Sequence, residues 1–390
     1  MSPSLRFPEF TGEWKKCKLG TLATKVGSGS TPKGGDAVYT SIGHYFVRSQ
    51  NVGMGFLMLD NIAHINDDIH QKHKATEIYE NDVLLNITGA SIGRTAVATK
   101  ELEGGNVNQH VCIIRTNSKV NPKFLCDYIQ TQRIQNHIKS LQTGGSREGL
   151  NFEQIRSFPI SLPSINEQNK LTCLLDKINE RIATQVRLIE DLKKLSCAIV
   201  EKMFKQSKTN GRLGDFIEQV SVRNKNGLYS NVLSVSNKQG FVKQSEQFED
   251  RTVASEDTSN YKIVKRNNFA YNPARINVGS IARLTKFDVG IVSPMYVCFR
   301  TKDGIIPEYM EAFFTSQQFF YEMMKRLEGS VRLCLSYEGL CNIPVYIPNM
   351  NKQIVMGQNI SLILSKIGLE IEYLGRLHQQ KQYLLRKMFI

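Results

Sequence analysis

The stretch 165–204 constrains this chain more than any other, because it reads as one long amphipathic helix and returns almost position for position at 350–389. In the first copy apolar residues fall at Leu171, Leu175, Ile178, Ile182, Val186, Ile189, Leu192, Leu195, Ile199 and Met203. These steps of three and four draw a single stripe along a helix. No Pro or Gly interrupts the run. Ser164 with Glu167 three positions on has the capping-box pattern, and the polar stretch 205–211 ends the helix on a glycine. At 1.5 Å per residue, a helix of about 38 residues is a rod about 57 Å long.

Adding 185 to those positions gives Met356, Ile360, Ile363, Ile367, Ile371, Leu374, Leu377, Gln380, Leu384 and Met388, with Gln380 the single polar exception. The ends repeat as well: Lys202-Met203-Phe204 matches Lys387-Met388-Phe389. A stripe held over about five heptads in both copies suits a coiled coil, most simply the two rods packed on each other through Ile178, Ile182, Ile189, Leu192, Ile363, Ile367, Leu374 and Leu377. The other reading is two ordinary helices, each buried against its own globular domain.

The segments before the rods repeat too. Lys18-Leu19-Gly20 returns as Arg212-Leu213-Gly214, Asn86 with Gly93 as Asn272 with Gly279, and Gly144 with Arg147 as Gly329 with Arg332. Gln168 matches Gln353. The framework is kept while loops diverge, so the spacing predicts globule, rod, globule, rod: residues 1–163, 164–207, 208–348 and 349–390. Within the first globule, short β-like runs at 20–26, 38–42 and 82–88 precede helical character at 122–141 and an edge-like strand at 155–162. The expected class is α/β, two similar domains related by an internal pseudo-twofold repeat.

Charge sets the partner class. Fifty Lys and Arg against 36 Asp and Glu give a formal net charge of +14, the balance of a chain that meets a polyanion, nucleic acid first. The absence of an uninterrupted apolar run of about 18 residues argues against a membrane span, and the N-terminus lacks the apolar core of a secretory signal, so cytoplasmic residence is expected. Eight cysteines without a C-x-x-C pair suit reduced, buried thiols rather than disulfides or a metal site.

Catalytic patterns fail on inspection. The run 89–95 has a phosphate-loop look, but it is one residue short between its glycines and carries Arg94 where Lys is required. Tyr271-Asn272-Pro273-Ala274 departs from an amino-methyltransferase motif at its third and fourth residues, and Gly27-Ser28-Gly29-Ser30 lacks the context of a nucleotide fingerprint. No H-E-x-x-H or G-x-S-x-G occurs. No active site is expected, and no metal.

The candidate DNA-reading residues are polar and basic side chains in loops that differ between the copies. They are Thr31, Lys33, Ser91, Arg94, Asn108, Gln109, His110 and Arg147 in the first half. In the second they are Arg223, Asn224, Arg275, Asn277, Ser280, Arg283, Tyr296 and Arg332. Arg reads guanine bidentately, Asn and Gln read adenine, and Lys with backbone amides holds phosphate.

The leader Leu5-Arg6-Phe7-Pro8-Glu9-Phe10 with Trp14, the opening Lys18-Leu19-Gly20, the loop Gly144-Gly145-Ser146-Arg147 with Leu150, and the stretch 159–168 resemble the DNA specificity subunit of type I restriction-modification systems. The resemblance covers both repeats. It implies two target-recognition domains that each read half of a bipartite, asymmetric site, with two antiparallel helices fixing the gap. It also implies a non-catalytic chain that docks two DNA methyltransferase subunits and, in the full complex, motor-nuclease subunits. S-adenosylmethionine, ATP and Mg would belong to those partners. The alternative is a stand-alone bipartite DNA-binding protein or repressor without catalytic partners.

Overall fold

The computed structural model describes residues 2–142, 149–205, 208–237, 239–244, 257–330 and 332–390. Two compact units result: Met1–Gln185 with Tyr373–Ile390, and Val186–Glu372. Each long helix is a single element, Ile165–Lys205 with 41 residues and Met350–Met388 with 39. Each therefore supplies residues to both units.

The strands of unit 1 are β1 (Lys15–Lys18), β2 (Ala23–Ser28), β3 (His44–Val47), β4 (Ala63–Ile65), β5 (Val83–Asn86), β6 (Thr95–Val97), β7 (Asn106–Val107), β8 (Val111–Thr116) and β9 (Pro159–Leu162). They form an antiparallel pair β1-β9, a sheet β2-β8-β5-β6, and a sheet β4-β3-β7 in which β3 and β7 run parallel. Unbroken apolar runs such as Val83-Leu84-Leu85 in β5 mark strands covered on both faces, and these residues are buried.

Unit 2 repeats the plan with β10 (Gly211–Arg212), β11 (Ile217–Gln219), β12 (Val232–Ser236), β13 (Gly240–Lys243), β14 (Lys262–Lys265), β15 (Phe269–Tyr271), β16 (Ile281–Arg283), β17 (Val289–Val292), β18 (Val297–Thr301) and β19 (Pro344–Val345). Its pair is β10-β19, its second sheet is β11-β18-β15-β16, and its third is β13-β12-β17-β14 with β12 parallel to β17. The orders correspond strand for strand, with β14 added at one edge.

Some local expectations shift. The stretch 38–42 makes no strand; Gly35–Val38 is a 3-10 turn and Thr40 only bridges His64. The segment expected as one strand at 155–162 divides into a helix, Phe152–Arg156, capped by Asn151, and β9. The helical stretch near 122–141 breaks at Thr131 into Pro122–Gln130 and Gln132–Gln142.

The helix ends plug the cores. In unit 1 Phe389 stacks on Phe124 with centroids 5.4 Å apart and meets Trp14 edge-on at 6.3 Å. The Tyr128 hydroxyl donates to the carbonyl of Ile390 and accepts from the Ser161 amide at 3.0 Å. In unit 2 Phe204 lies 5.4 Å from Tyr309 and 5.2 Å from Phe313. The leader docks on the start of the first helix. Arg6 donates to both oxygens of Glu167 at 2.7 and 2.8 Å, and Trp14 Nε1 donates to Glu167 at 3.2 Å. Glu167 thus binds the leader, although its backbone amide still donates to Ser164 Oγ at 3.4 Å.

Within each unit the helices run antiparallel. In unit 1 Leu171 and Leu175 share a core with Leu385 and Met388, while Arg181 donates to Tyr373 at 2.6 Å. In unit 2 Val200 and Phe204 share a core with Ile360. Ile178, Ile189, Ile367 and Leu377 are buried, and Ile182, Leu192, Ile363 and Leu374 are half-buried. The expected stripe is corrected at four positions. Val186, Leu195 and Ile371 are exposed, and the inward positions beside them belong to Gln185, Ser196 and Glu370. At the polar layer it is Lys381, not Gln380, that turns inward. Against the expectation of no span, Met350–Met388 is long and apolar enough to cross a membrane by length and composition. Its Ile360 and its Leu385–Met388 end are nevertheless packed in protein cores.

Candidate nucleic-acid interface

In unit 1 the hairpin β5-β6 turns through a 3-10 segment, Gly89–Ser91, and Gly93 at φ 85°. Asn86 Nδ2 ties the turn down by donating to Ser91 Oγ at 3.1 Å and to the Ser49 carbonyl at 2.8 Å. Arg94 is left exposed at its tip. The β7-β8 connection lies alongside. Asn108 is buried and its Oδ1 accepts from the His110 amide, so it shapes the turn rather than facing solvent. His110 Nδ1 lies 2.6 Å from Thr88 Oγ1 and its Nε2 lies 3.1 Å from Gln109 Nε2; Gln109 is in turn bonded to Thr31. Four side chains from three segments form one polar chain. Gly29 lets this happen, because a Cβ there would lie 1.6 Å from the Val107 carbonyl oxygen. The close approach of backbones explains a glycine that a nucleotide-binding fingerprint does not. Lys33 is exposed in the following turn, and Arg147 lies outside the described residues.

Unit 2 has the same hairpin. β15 is followed by a 3-10 turn, Ile276–Val278, then Gly279 at φ 90° and β16. The amide of Leu335 donates to the carbonyl of Pro273 at 3.1 Å, fastening the segment that carries Arg332 against this turn. Gly329, at φ 117°, bends that segment, and a Cβ there would meet the Arg332 carbonyl oxygen at 2.2 Å. Arg275, Asn277, Ser280, Tyr296 and Arg332 consequently line one cleft of about 860 Å³. Ser280 and Tyr296 are buried and also brace it: Ser280 Oγ donates to the Val235 carbonyl at 3.2 Å and the Tyr296 hydroxyl accepts from the Val235 amide at 3.3 Å.

Three expected contacts lie elsewhere. Arg283 is buried, paired with Glu308 and with Glu311 at 2.9 Å and bonded to Asn267 at 2.9 Å, which removes its guanidinium from the surface. Burial raises the Glu311 carboxyl above its usual range, with Arg283 opposing that shift. Asn224 is buried and holds Tyr229 through both its amide donor and its carbonyl. Arg223 is exposed, bonded to Asn260 at 3.0 Å, and does not line the cleft. Residues outside the expected set do line it, among them Asn272, Tyr261 and Ser293. Only Asn272 carried a sequence signal, its match to Asn86.

Among the described residues no group of three or more His, Cys, Asp or Glu could hold a metal ion. Burial pushes the thiols of Cys112, Cys126 and Cys298 up to about 12, far from a reactive thiolate.

The class is a duplicated α/β protein whose two units share one topology and whose long helices complete both cores. Residues 11–194 match the model of a family described as type I restriction modification DNA specificity domain. The specificity subunit of the type I restriction enzyme EcoBI from Escherichia coli is 24% identical over 135 residues, 34% of this chain. The match spans 28% of that relative's length. Two solved structures share the fold along the whole chain. The S subunit of a type I restriction-modification system from M. genitalium is similar with a TM-score of 0.63 at 17% identity, over 100% of this chain and 99% of the other. A chain from a structural study of complex assembly and conformational transition in the type I R-M system has a TM-score of 0.57 at 14% identity, with 98% of each covered.

Proposed function

We propose that this chain is the DNA specificity subunit of a type I restriction-modification complex. Each unit reads one half of a bipartite, asymmetric site, and the long helices set the gap and dock two DNA methyltransferase subunits. The chain itself catalyses nothing. Motor-nuclease subunits complete the assembly, and S-adenosylmethionine, ATP and Mg belong to the partners. A DNA target places the work in the cytoplasm.

The observation that carries this reading is one hairpin built twice with different chemistry at its tip. The 3-10 turn follows the corresponding strand in both units, yet Gly89 and Ser91 in the first stand where Arg275 and Asn277 stand in the second. A shared scaffold with changed loop side chains is what reading two different half-sites requires. The net charge of +14 supplies the general attraction to DNA.

The test is to co-express the full chain with the adenine-methylating subunit encoded beside it and purify through a tag on the chain. A stable complex that binds duplex DNA is expected. DNA binding by the chain alone, with no methylating subunit retained, would favour the stand-alone binder instead.

A further inference from the structure

The cleft of unit 2 brings together side chains from separate segments: Arg275 and Asn277 from the 3-10 turn, Tyr296 from the β17-β18 connection, and Arg332 from the loop bent at Gly329. No carboxylate lines it among the described residues. That sets it apart from Arg283 nearby in sequence, whose charge is met by Glu308 and Glu311. The guanidiniums of Arg275 and Arg332 have no ion-pair or hydrogen-bond partner among the described residues, so two positive charges line a concave space with their charge unmet. Such a space favours a polyanion.

The two kinds of side chain have different reach. Asn277 is short, half-buried and fixed on a turn closed by Val278 N to Arg275 O at 3.2 Å and Gly279 N to Ile276 O at 2.9 Å. A short amide presented from a fixed turn suits the paired donor and acceptor of an adenine edge. Arg275 and Arg332 are exposed, and their long arms suit phosphates on either side of the base that is read.

We infer that this cleft is the reading head of unit 2, with Asn277 as the base-specifying residue and Arg275 and Arg332 as the phosphate clamp beside it. The inference rests on the DNA-specificity reading. It also assigns the asymmetry of the target, because Ser91 and Gly89 at the matched positions of unit 1 cannot make the same contacts.

The experiment compares the full chain with Asn277→Ala, Arg275→Ala and Arg332→Ala, each co-expressed with the methylating subunit. Methylated adenines are mapped in host DNA, and affinity is then measured on a duplex carrying the wild-type motif. Asn277→Ala should relax the motif in one half only and reduce discrimination there on the order of tenfold. Each Arg→Ala should leave the motif unchanged, weaken binding to all duplexes alike and lower the log-log salt slope by about 1. Unaltered circular dichroism and melting of each variant separate these effects from unfolding; Asn277→Ser, which keeps a small polar side chain on the turn, is the second variant if the alanine fails to fold. A wild-type motif left intact by the Asn277 variants, or lost equally in both halves, would overturn the inference while leaving the proposed function standing. A wild-type chain that directs no bipartite motif would overturn the proposed function and the inference with it.

Discussion

Gln168 and Gln353 make the same three hydrogen bonds, each within its own unit. Gln168 Oε1 accepts from the Asn121 amide at 2.8 Å while its Nε2 donates to the carbonyls of Lys119 and Pro163 at 3.2 and 3.0 Å. Gln353 Oε1 accepts from the Ile306 amide at 2.9 Å while its Nε2 donates to Gly304 and Pro348 at 3.2 and 3.0 Å. Each side chain is buried and locks the first turn of a long helix to the loop that opens the preceding globular helix. Replacing either by Leu leaves one amide and two carbonyls without partners, at a cost of about 1–3 kcal/mol for the better-buried groups. Chemical denaturation of Gln168→Leu and Gln353→Leu should show similar losses; a neutral result in either would refute the locking role.

Phe204 and Phe389 extend the same duplication into the cores. Truncating either to Ala should cost about 3–5 kcal/mol, the usual range for a fully packed aromatic. Hydrogen exchange locates the damage. Phe389→Ala should expose amides of Pro122–Gln130 first, and Phe204→Ala those of Pro307–Phe314, since these are the helices whose rings they touch. Exchange that rises at the other helix in either variant would contradict this assignment.

The helices and their repeated ends were legible because a three-and-four spacing over about five heptads has few other solutions. Their inward register was less so. Val186, Leu195 and Ile371 are as apolar as their neighbours yet point outward, and apolarity alone does not distinguish two faces of a helix that both carry it. Burial of Gln185, Ser196 and Lys381 then follows from the heptad, not from residue type. At the candidate site Arg275 and Asn277 stand in a turn whose side chains differ between the copies, while Arg332 is singled out by its match to Arg147. Asn108 and Asn224 belong to polar loops by sequence, but each is turned inward to shape its own turn through the backbone of His110 or Tyr229, and Arg283 meets Glu308 and Glu311 on the helix Pro307–Phe314, which a linear reading does not bring to it.

Asp127 gives unit 1 a pH signature. Burial pushes its carboxyl up to about 7 from a usual 3.8, although the Lys381 ammonium opposes the shift. Between those two values the folded chain holds a proton that the unfolded chain has released. Stability therefore falls as pH rises through that window, and the penalty is complete above it. Asp127→Asn should remove the slope, so the variant gains on the wild type from pH 4 to pH 8 in thermal melts. A constant difference across that range would show that Asp127 stays ionised in the fold.

Lengthening both long helices by one heptad, about 10 Å, should change the gap accepted between the two half-sites without altering either half-site. Methylation mapping of the doubly inserted chain reads both at once. An unchanged gap would defeat the spacer role.

The central claim, that this chain chooses the DNA sequence for a methylating partner, is tested most directly by single-molecule mapping of methylated adenines in a host expressing the partner with and without the chain. The account predicts methylation at one bipartite, asymmetric motif that disappears when the chain is omitted. Methylation that persists unchanged without the chain would contradict it.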